Sequence, residues 1–256
     1  MPRISSFATA AGVALLGIGG WGCDPIVTIF DDVEQPQYYQ AAKIDPPASK
    51  DTLTVMTWNI KYGGGAIDFW WACYDDRVLM TEDEVLGNLE VLAEKIRAVD
   101  PDILLLQEVD VDSKRSAYVD QMQYLLDNTA LNYGVYASMW RTQFAPSDGL
   151  GRTDIGPAIL ARWPLGEAER IALALRTDQD AVTKYFYLRR CIVKANLQLP
   201  GRDDFYLVNV HTSAWQAETK VKHIDRFKAE LDLIDAGGGL FVAGGDFNTL
   251  PPAPLK

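Results

Sequence analysis

Five short strings end hydrophobic runs that look like β-strands, and each carries polar side chains at the end of the run. The strings are TWNI (57–60), LLLQEVD (104–110), GPAILARWPL (156–165), LVNVHTSAW (207–215) and GGDFN (244–248). Carboxylate, amide and imidazole groups gathered at strand ends can hold a divalent cation and a phosphate. Each string alone is weak, so their order along the chain carries the argument.

Glu108 and Asn59 are the candidate metal ligands. Glu108 follows an apolar run, where a carboxylate is costly unless it faces a cleft and a cation. Mg²⁺ takes one or two protein carboxylates and keeps most of its waters, and Mn²⁺ is an alternative. Asn59 can offer a neutral carbonyl oxygen to the ion or to a water on it. Taken singly, Glu108 would be a solvated strand-end residue and Asn59 a turn-forming residue.

His211, Asp246 and Asn248 are the candidate catalytic residues. A lone histidine at a strand end is more often structural than catalytic. Asp246 and Asn248 alternate around Phe247, so on an extended segment both side chains face the same way. By itself this spacing is also typical of a turn after a strand.

In this order the five strings resemble the endonuclease/exonuclease/phosphatase superfamily, the deoxyribonuclease I-like metal-dependent phosphoesterases, over about residues 53–248. The resemblance implies a metal at Glu108 with Asn59 beside it. It also implies that His211 contacts the scissile phosphate, that Asp246 orients the attacking water, and that Asn248 binds a phosphate oxygen. The implied reaction is hydrolysis of a phosphodiester or a phosphomonoester, with nuclease, phosphatase and sphingomyelinase types unresolved.

The chain departs from the family pattern in two places. Many members read Gly-Asn-Ala where this chain has Gly156, Pro157 and Ala158, so Asp154, Arg152 and Arg141 are the remaining candidates for phosphate binding there. The family's closing Asp-His pair, which supplies the catalytic base, has no counterpart before Lys256. We therefore expect a C-terminally truncated domain with weak catalysis or none. The alternative function is a non-catalytic surface binding lipoprotein that keeps the fold.

Periodicity predicts the elements that position these residues. Apolar residues from Val85 to Val99 keep helical spacing, and a last helix is expected over 217–234. Its predicted apolar stripe is Val221, Ile224, Phe227, Leu231 and Ile234, with His223 solvated. Further strands are predicted over 133–140, 155–161, 185–199, 205–210 and 240–243, and a short helix over 118–128. The fold class is α+β, and the resemblance implies a four-layer αββα sandwich of two mostly antiparallel sheets.

The composition of the chain limits the classes of substrate and partner that it can bind. With 256 residues and 48% hydrophobic content, the chain can bury the core of one domain. A net charge of -11 gives no broad electrostatic footprint for nucleic acid, although Arg189 and Arg190 are a local basic pair. A small phosphoester or a lipid head group is the favoured substrate. The aromatic loop containing Trp70 and Trp71 is either a substrate platform or a packed lid.

The amino terminus predicts export. Residues 1–22 have the plan of a signal peptide, with a retained membrane anchor as the alternative. Cys23 resembles a bacterial lipoprotein processing site, which predicts a lipid anchor at the cell envelope. Residues 23–51 are predicted to be a linker or irregular lead-in, and 52–256 the phosphoesterase-like domain. Cys73 and Cys191 would either pair in an oxidising exterior or remain buried thiols.

Overall fold

The structure is a computed structural model that describes residues 26–48, 50–69, 77–145 and 151–250. The helices are α1 (Glu82–Val99), α2 (Gln121–Asp127), α3 (Ala181–Phe186) and α4 (Ala217–Ala236). The strands are β1 (Val33–Glu34), β2 (Gln37–Gln40), β3 (Val55–Asn59), β4 (Ile103–Asp110), β5 (Tyr133–Tyr136), β6 (Trp140–Ala145), β7 (Gly151–Ala161), β8 (Leu165–Ala172), β9 (Cys191–Leu197), β10 (Phe205–His211) and β11 (Leu240–Asp246). None of these helices is both long and apolar enough to cross a membrane.

Two sheets pack face to face. The first sheet has the order β2-β5-β7-β4-β3, with β6 also paired to β7, and the second has the order β1-β8-β9-β10-β11. Only β3–β4 and β10–β11 are parallel pairs among the described strands. One buried apolar cluster contains Leu105 of the first sheet and Leu207 of the second, so the main core lies between the sheets.

Helices cover the outer faces of both sheets. α2 contacts β2, β4 and β5 and also packs on α1, which places both helices on the first sheet. On β10, Leu207 belongs to the core between the sheets, whereas Val208 and Val210 pack with Phe227 and Ile234 of α4. Because side chains alternate along a strand, α4 lies on the opposite face of the second sheet. The expected α+β fold with an αββα sandwich is confirmed.

The start of α1 is fixed by local hydrogen bonds. The Thr81 side chain accepts from the Glu84 backbone N–H, and the Glu84 carboxylate accepts from the Thr81 N–H, which is a capping box. Val85, Leu89 and Ile96 are buried as the helical spacing predicts. The helix leads directly into β4 and so places Glu108 at the end of a buried strand.

The predicted buried face of α4 is wrong in part. Val221 and Ile224 are exposed, and the buried positions are Thr219, His223, Phe227, Glu230 and Ile234. His223 is buried, not solvated: its Nδ1 accepts from the Ser213 N–H at 3.1 Å and its Nε2 lies 2.8 Å from the Ala174 carbonyl oxygen. Polar residues with partners therefore face the sheet, which an apolar pattern cannot show.

The segment predicted to be an irregular lead-in contains structure. β1 pairs with β8 and β2 pairs with β5, so residues 33–40 supply an edge strand to each sheet. Val27 is buried and bridges to Thr142. The segment therefore belongs to the folded domain from at least Val27 onward, because its backbone completes the ladders of both sheets.

The structure differs from the predicted strands in three places. The single strand expected over 133–140 is two strands, β5 and β6, and β8 was not predicted. Residues 181–186, which overlap the start of the strand expected over 185–199, form helix α3 instead. The Asp180 carboxylate accepts from the N–H groups of Val182 and Thr183, and this cap starts the helix.

Candidate active site

Four strand ends meet at one edge of the sandwich. Asn59 ends β3 and pairs in register with Gln107 of β4, and His211 ends β10 in register with Asp246 of β11. Because both of these pairs are parallel, their carboxyl ends lie at the same edge of each sheet. β11 also contacts β3 and β4, which brings the two edges together.

Asn59 joins two carboxylates. Its Nδ2 donates to Glu108 Oε1 at 3.1 Å and to Asp246 Oδ2 at 2.9 Å. Its Oδ1 accepts from the Lys61 backbone N–H at 3.0 Å, which fixes the orientation of the amide. The amide nitrogen therefore faces the site in this arrangement, and the carboxylates of Glu108 and Asp246 supply the oxygen atoms.

His211 lies against both carboxylates. Its Nε2 is 3.6 Å from Asp246 Oδ2 and 3.9 Å from Glu108 Oε1. Its Nδ1 is buried and has no hydrogen-bond partner among the described residues. Burial, followed by the charge of Arg190, lowers the pKa of His211 to about 3, although Asp246 acts in the opposite direction. A neutral imidazole can donate one hydrogen bond toward a phosphoryl oxygen.

Asp246 and Asn248 are held by the turn that follows β11. Asp246 Oδ1 accepts from the Asn248 backbone N–H at 2.8 Å. Burial raises the pKa of Asp246, but the hydrogen bonds from Asn59 and Asn248 outweigh it and the net shift is downward, so the group is ionised at neutral pH. The Asn248 side chain donates to the Thr212 carbonyl at 2.9 Å. The position of Asn248 is therefore fixed by the residue that follows β10.

Glycine is required at one position near the end of β11. Gly245 has φ of +141°, and a Cβ there would lie 1.9 Å from the Val210 carbonyl oxygen. The close approach of β11 to β10 just before His211 and Asp246 therefore depends on the missing side chain.

Arg190 is a site residue to which the sequence assigned no role. Its guanidinium donates to the His211 carbonyl at 3.2 Å, and it makes no ion pair with a described residue. Burial lowers its pKa, whereas Tyr187, Glu108 and Asp246 favour the charged form. Its neighbour Arg189 instead donates to two backbone carbonyls. The basic pair was visible in the sequence, but only the structure shows which arginine reaches the site.

Residues 56–255 match the Endonuclease/Exonuclease/phosphatase family. The chain belongs to this family. No curated protein matches the sequence.

Solved structures support the family fold. The match to an endonuclease/exonuclease/phosphatase from Beutenbergia cavernae has 22% sequence identity and a TM-score of 0.53, and it covers 78% of this chain and 49% of that chain. The match to ANGEL2, described as a 2′,3′-cyclic phosphatase, has 19% sequence identity and a TM-score of 0.53, and it covers 86% of this chain and 58% of that chain. The match to a mannosyl-6-phosphatase from Bacteroides thetaiotaomicron has 16% sequence identity and a TM-score of 0.50, and it covers 79% of this chain and 68% of that chain. The chain thus spans about half to two thirds of the length of these structures.

The donor set fits the divalent cation that is common in this family. Glu108 and Asp246 present carboxylate oxygens on either side of one amide, and magnesium prefers such hard oxygen donors. No group of three or more His, Cys, Asp and Glu side chains arranged for a metal occurs within the described ranges. Magnesium is usually held by one or two carboxylates, and Glu108 and Asp246 supply two.

The three remaining candidates for phosphate binding beside the middle string are engaged elsewhere. Asp154 is buried and accepts hydrogen bonds from Tyr136, Ser138 and Arg141. Arg152 pairs with Asp112 at 3.0 Å. Among the described residues, none of these three side chains is hydrogen-bonded to Asn59, Glu108, His211 or Asp246.

Several further sequence predictions lie wholly or partly outside the described residues. Cys191 is a buried free thiol, and burial raises its pKa to about 11. Its predicted partner Cys73 and the Trp70-Trp71 pair lie outside the described ranges, as do residues 1–22 and Cys23.

Proposed function

We propose that this protein is a Mg²⁺-dependent phosphoesterase that hydrolyses a phosphodiester or a phosphomonoester by attack of water, with Mn²⁺ as an alternative cation. The meeting of Asn59, Glu108, His211 and Asp246 at one edge of the sandwich carries the proposal. When bound, the cation would neutralise charge on the phosphoryl group and assist the leaving oxygen. Glu108 would hold it, with Asn59 beside it.

The remaining side chains have separate roles in this proposal. Asp246 is an ionised acceptor that would orient the attacking water. His211 would donate a hydrogen bond to a phosphoryl oxygen as negative charge develops there. Asn248 would add a donor to phosphate, and the Arg190 guanidinium would attract the anionic substrate.

The proposed substrate is a small phosphoester or a lipid head group. Charge supports this choice, because a chain with a net charge of -11 repels a polyanion over most of its surface. Two structures with the same fold are described as a 2′,3′-cyclic phosphatase and a mannosyl-6-phosphatase. We also propose export and a lipid anchor at Cys23, which mass spectrometry of the envelope protein and of its Cys23→Ser variant would test.

The decisive test compares the full gene product with its Glu108→Gln variant. Hydrolysis of bis-p-nitrophenyl phosphate and p-nitrophenyl phosphate is measured with Mg²⁺, with Mn²⁺ and with excess EDTA. We expect metal-dependent turnover that falls about 100-fold or more in Glu108→Gln, as loss of a transition-state charge stabiliser does. Glu94→Gln, on the exposed face of α1, is the matched control and should leave turnover unchanged.

Two results would count against the proposal. Turnover that is equal with and without metal would exclude the cation-dependent mechanism. A full gene product that binds phosphoesters without hydrolysing either substrate would favour the alternative, a surface binding lipoprotein that keeps the sandwich.

A further inference from the structure

Two consecutive side chains of β4 contact the same strand of the opposite sheet, β10. Gln107 Nε2 donates to Asn209 Oδ1 at 2.7 Å, and Glu108 Oε1 lies 3.9 Å from His211 Nε2. Asn209 and His211 are two residues apart on β10 and so face the same way. Consecutive side chains of a regular strand point to opposite faces. β4 must therefore depart from regular geometry at this point.

The departure is a β-bulge at Glu108. Leu106 pairs with Ala158 and the next pair is Val109 with Gly156, so two residues of β4 oppose the single Pro157. Proline has no N–H with which to continue the ladder. Glu108 has φ of +56°, a left-handed conformation that is unfavourable for a residue with a Cβ. Such a backbone persists only when its surroundings hold it.

Asn209 holds the bulge from the opposite sheet. Its side chain is fully buried, and its Nδ2 donates to the Leu106 carbonyl at 2.7 Å and the Ala158 carbonyl at 2.8 Å. These carbonyls belong to the last regular pair before the bulge. Its Oδ1 accepts from Gln107, so both N–H groups and the oxygen of the amide are used. One amide thus fixes the backbone on both strands next to Glu108.

We infer that Asn209 is a positioning residue that sets the left-handed backbone of Glu108 and thereby aims its carboxylate at Asn59 and Asp246. Its amide is fully engaged with the protein, so it acts on the site only through Glu108. The inference deepens the proposed function, on which its metal-binding consequence rests. The backbone consequence does not depend on a metal.

The chain offers a matched control in Asn132. This side chain is also buried, its Nδ2 donates to the carbonyls of Asp45 and Arg162 at 2.8 Å each, and its Oδ1 accepts from the Asp45 N–H at 3.0 Å. It therefore makes the same number of hydrogen bonds as Asn209. Its backbone N–H donates to the carbonyl of Ala161, the last residue of β7, whereas Pro157 and the bulge lie near the middle of that strand.

The test measures Mn²⁺ affinity by electron paramagnetic resonance in the full gene product. We compare Asn209→Leu and Asn132→Leu at a temperature where both are folded, with Asn209→Ser as the milder variant if the leucine variant does not fold. We expect affinity to fall about 10–100-fold at position 209, as loss of a supporting hydrogen bond near a metal does, and to stay unchanged at position 132. In a Glu108→Gln background, the substitution at 209 should have no further effect.

The inference and the proposed function can fail separately. Equal Mn²⁺ affinities for the two leucine variants would overturn the role of Asn209 and leave the proposed function intact. If the unsubstituted protein binds no Mn²⁺, the proposed function fails, and crystal structures of the metal-free variants then decide the inference. A Glu108 that keeps positive φ in the position-209 variant would overturn it, and a return to negative φ would support it.

Discussion

Replacing Glu108 by glutamine should stabilise the protein when no divalent cation is present. Glu108 Oε1 and Asp246 Oδ2 both lie about 3 Å from Asn59 Nδ2, so the two charged oxygens are no more than about 6 Å apart. At an effective dielectric constant of about 20, two like charges at that distance repel by about 2.8 kcal/mol. Both side chains are about a quarter exposed, which screens the repulsion. We expect a gain of about 1–2 kcal/mol in the free energy of unfolding.

The order should reverse when Mg²⁺ is added. Glutamine keeps an oxygen to accept from Asn59 but removes the negative charge that attracts the cation. A ligand that binds only the folded state at about 100 times its Kd adds about 2.7 kcal/mol to the stability. Glu108→Gln should therefore be the more stable protein in EDTA and the less stable one in saturating Mg²⁺.

Thermal and urea unfolding of both proteins, in EDTA and over a Mg²⁺ series, measures this reversal in the order of stability. A change of 1 kcal/mol should move Tm by roughly 2–4 °C at this chain length. Glu94→Gln is the control and should show neither effect. A Glu108→Gln variant that is less stable than the parent in EDTA, or that gains as much from Mg²⁺, would refute the reasoning.

Three other perturbations have expected outcomes. Burial, and then the charge of Arg190, hold the pKa of His223 below its ordinary 6.5. The unfolded chain therefore binds the proton at a higher pH than the folded protein does. The free energy of unfolding should fall as pH drops below 6.5, by up to about 1.4 kcal/mol per pH unit. Urea unfolding between pH 5 and 7 should give a flatter slope for His223→Gln, and equal slopes would contradict this. Gly156→Ala would place a Cβ 1.9 Å from the Ala137 carbonyl oxygen and should lower the free energy of unfolding by about 1–3 kcal/mol. The Cβ of Gly87→Ala in α1 meets nothing within 4 Å, and this variant should raise the free energy of unfolding by up to about 1 kcal/mol. Denaturation that ranks the two variants the other way would exclude the clash. Arg190→Gln should lower kcat/KM for phosphoester hydrolysis about 10–100-fold without changing Mn²⁺ affinity, because a charge-assisted hydrogen bond to phosphate is lost, and unchanged kinetics would remove Arg190 from the site.

The sequence predicted the ends of the strands that form the site well. Asn59, Glu108, His211 and Asp246 each follow an apolar run long enough to be a strand, and a polar residue at such a boundary is easy to locate. Their convergence follows from the parallel pairing of β3 with β4 and of β10 with β11. The sequence did not predict that pairing, because periodicity alone does not choose strand partners and the resemblance implied only two mostly antiparallel sheets.

The buried polar contacts could not be predicted from apolar spacing. His223 reads as a surface residue of an amphipathic helix, yet it bridges Ser213 and Ala174 in the interior. Asn209 reads as one polar residue inside an apolar strand, and its role depends on carbonyls about 50 and 100 residues away in sequence. Such residues are favourable inside only because specific partners satisfy them, and those partners become known only with the fold.

Local backbone geometry was the other missing information. Nothing in LLLQEVD marks the residue that adopts a left-handed conformation, and the bulge at Glu108 becomes visible only when Pro157 is placed opposite it. Likewise, the sequence analysis did not identify Asp180 as a helix cap, so α3 was not predicted and its last two residues were assigned to a strand. In both cases the deciding contacts are a few specific hydrogen bonds that the sequence pattern does not show.

Diffraction from crystals of the full gene product grown with Mn²⁺ tests the central claim most directly. The account predicts an anomalous difference peak within coordination distance of the Glu108 carboxylate, on the side that faces Asn59 and Asp246, and no such peak in Glu108→Gln. A peak only at some other place, or none at a Mn²⁺ concentration that supports turnover, would contradict it.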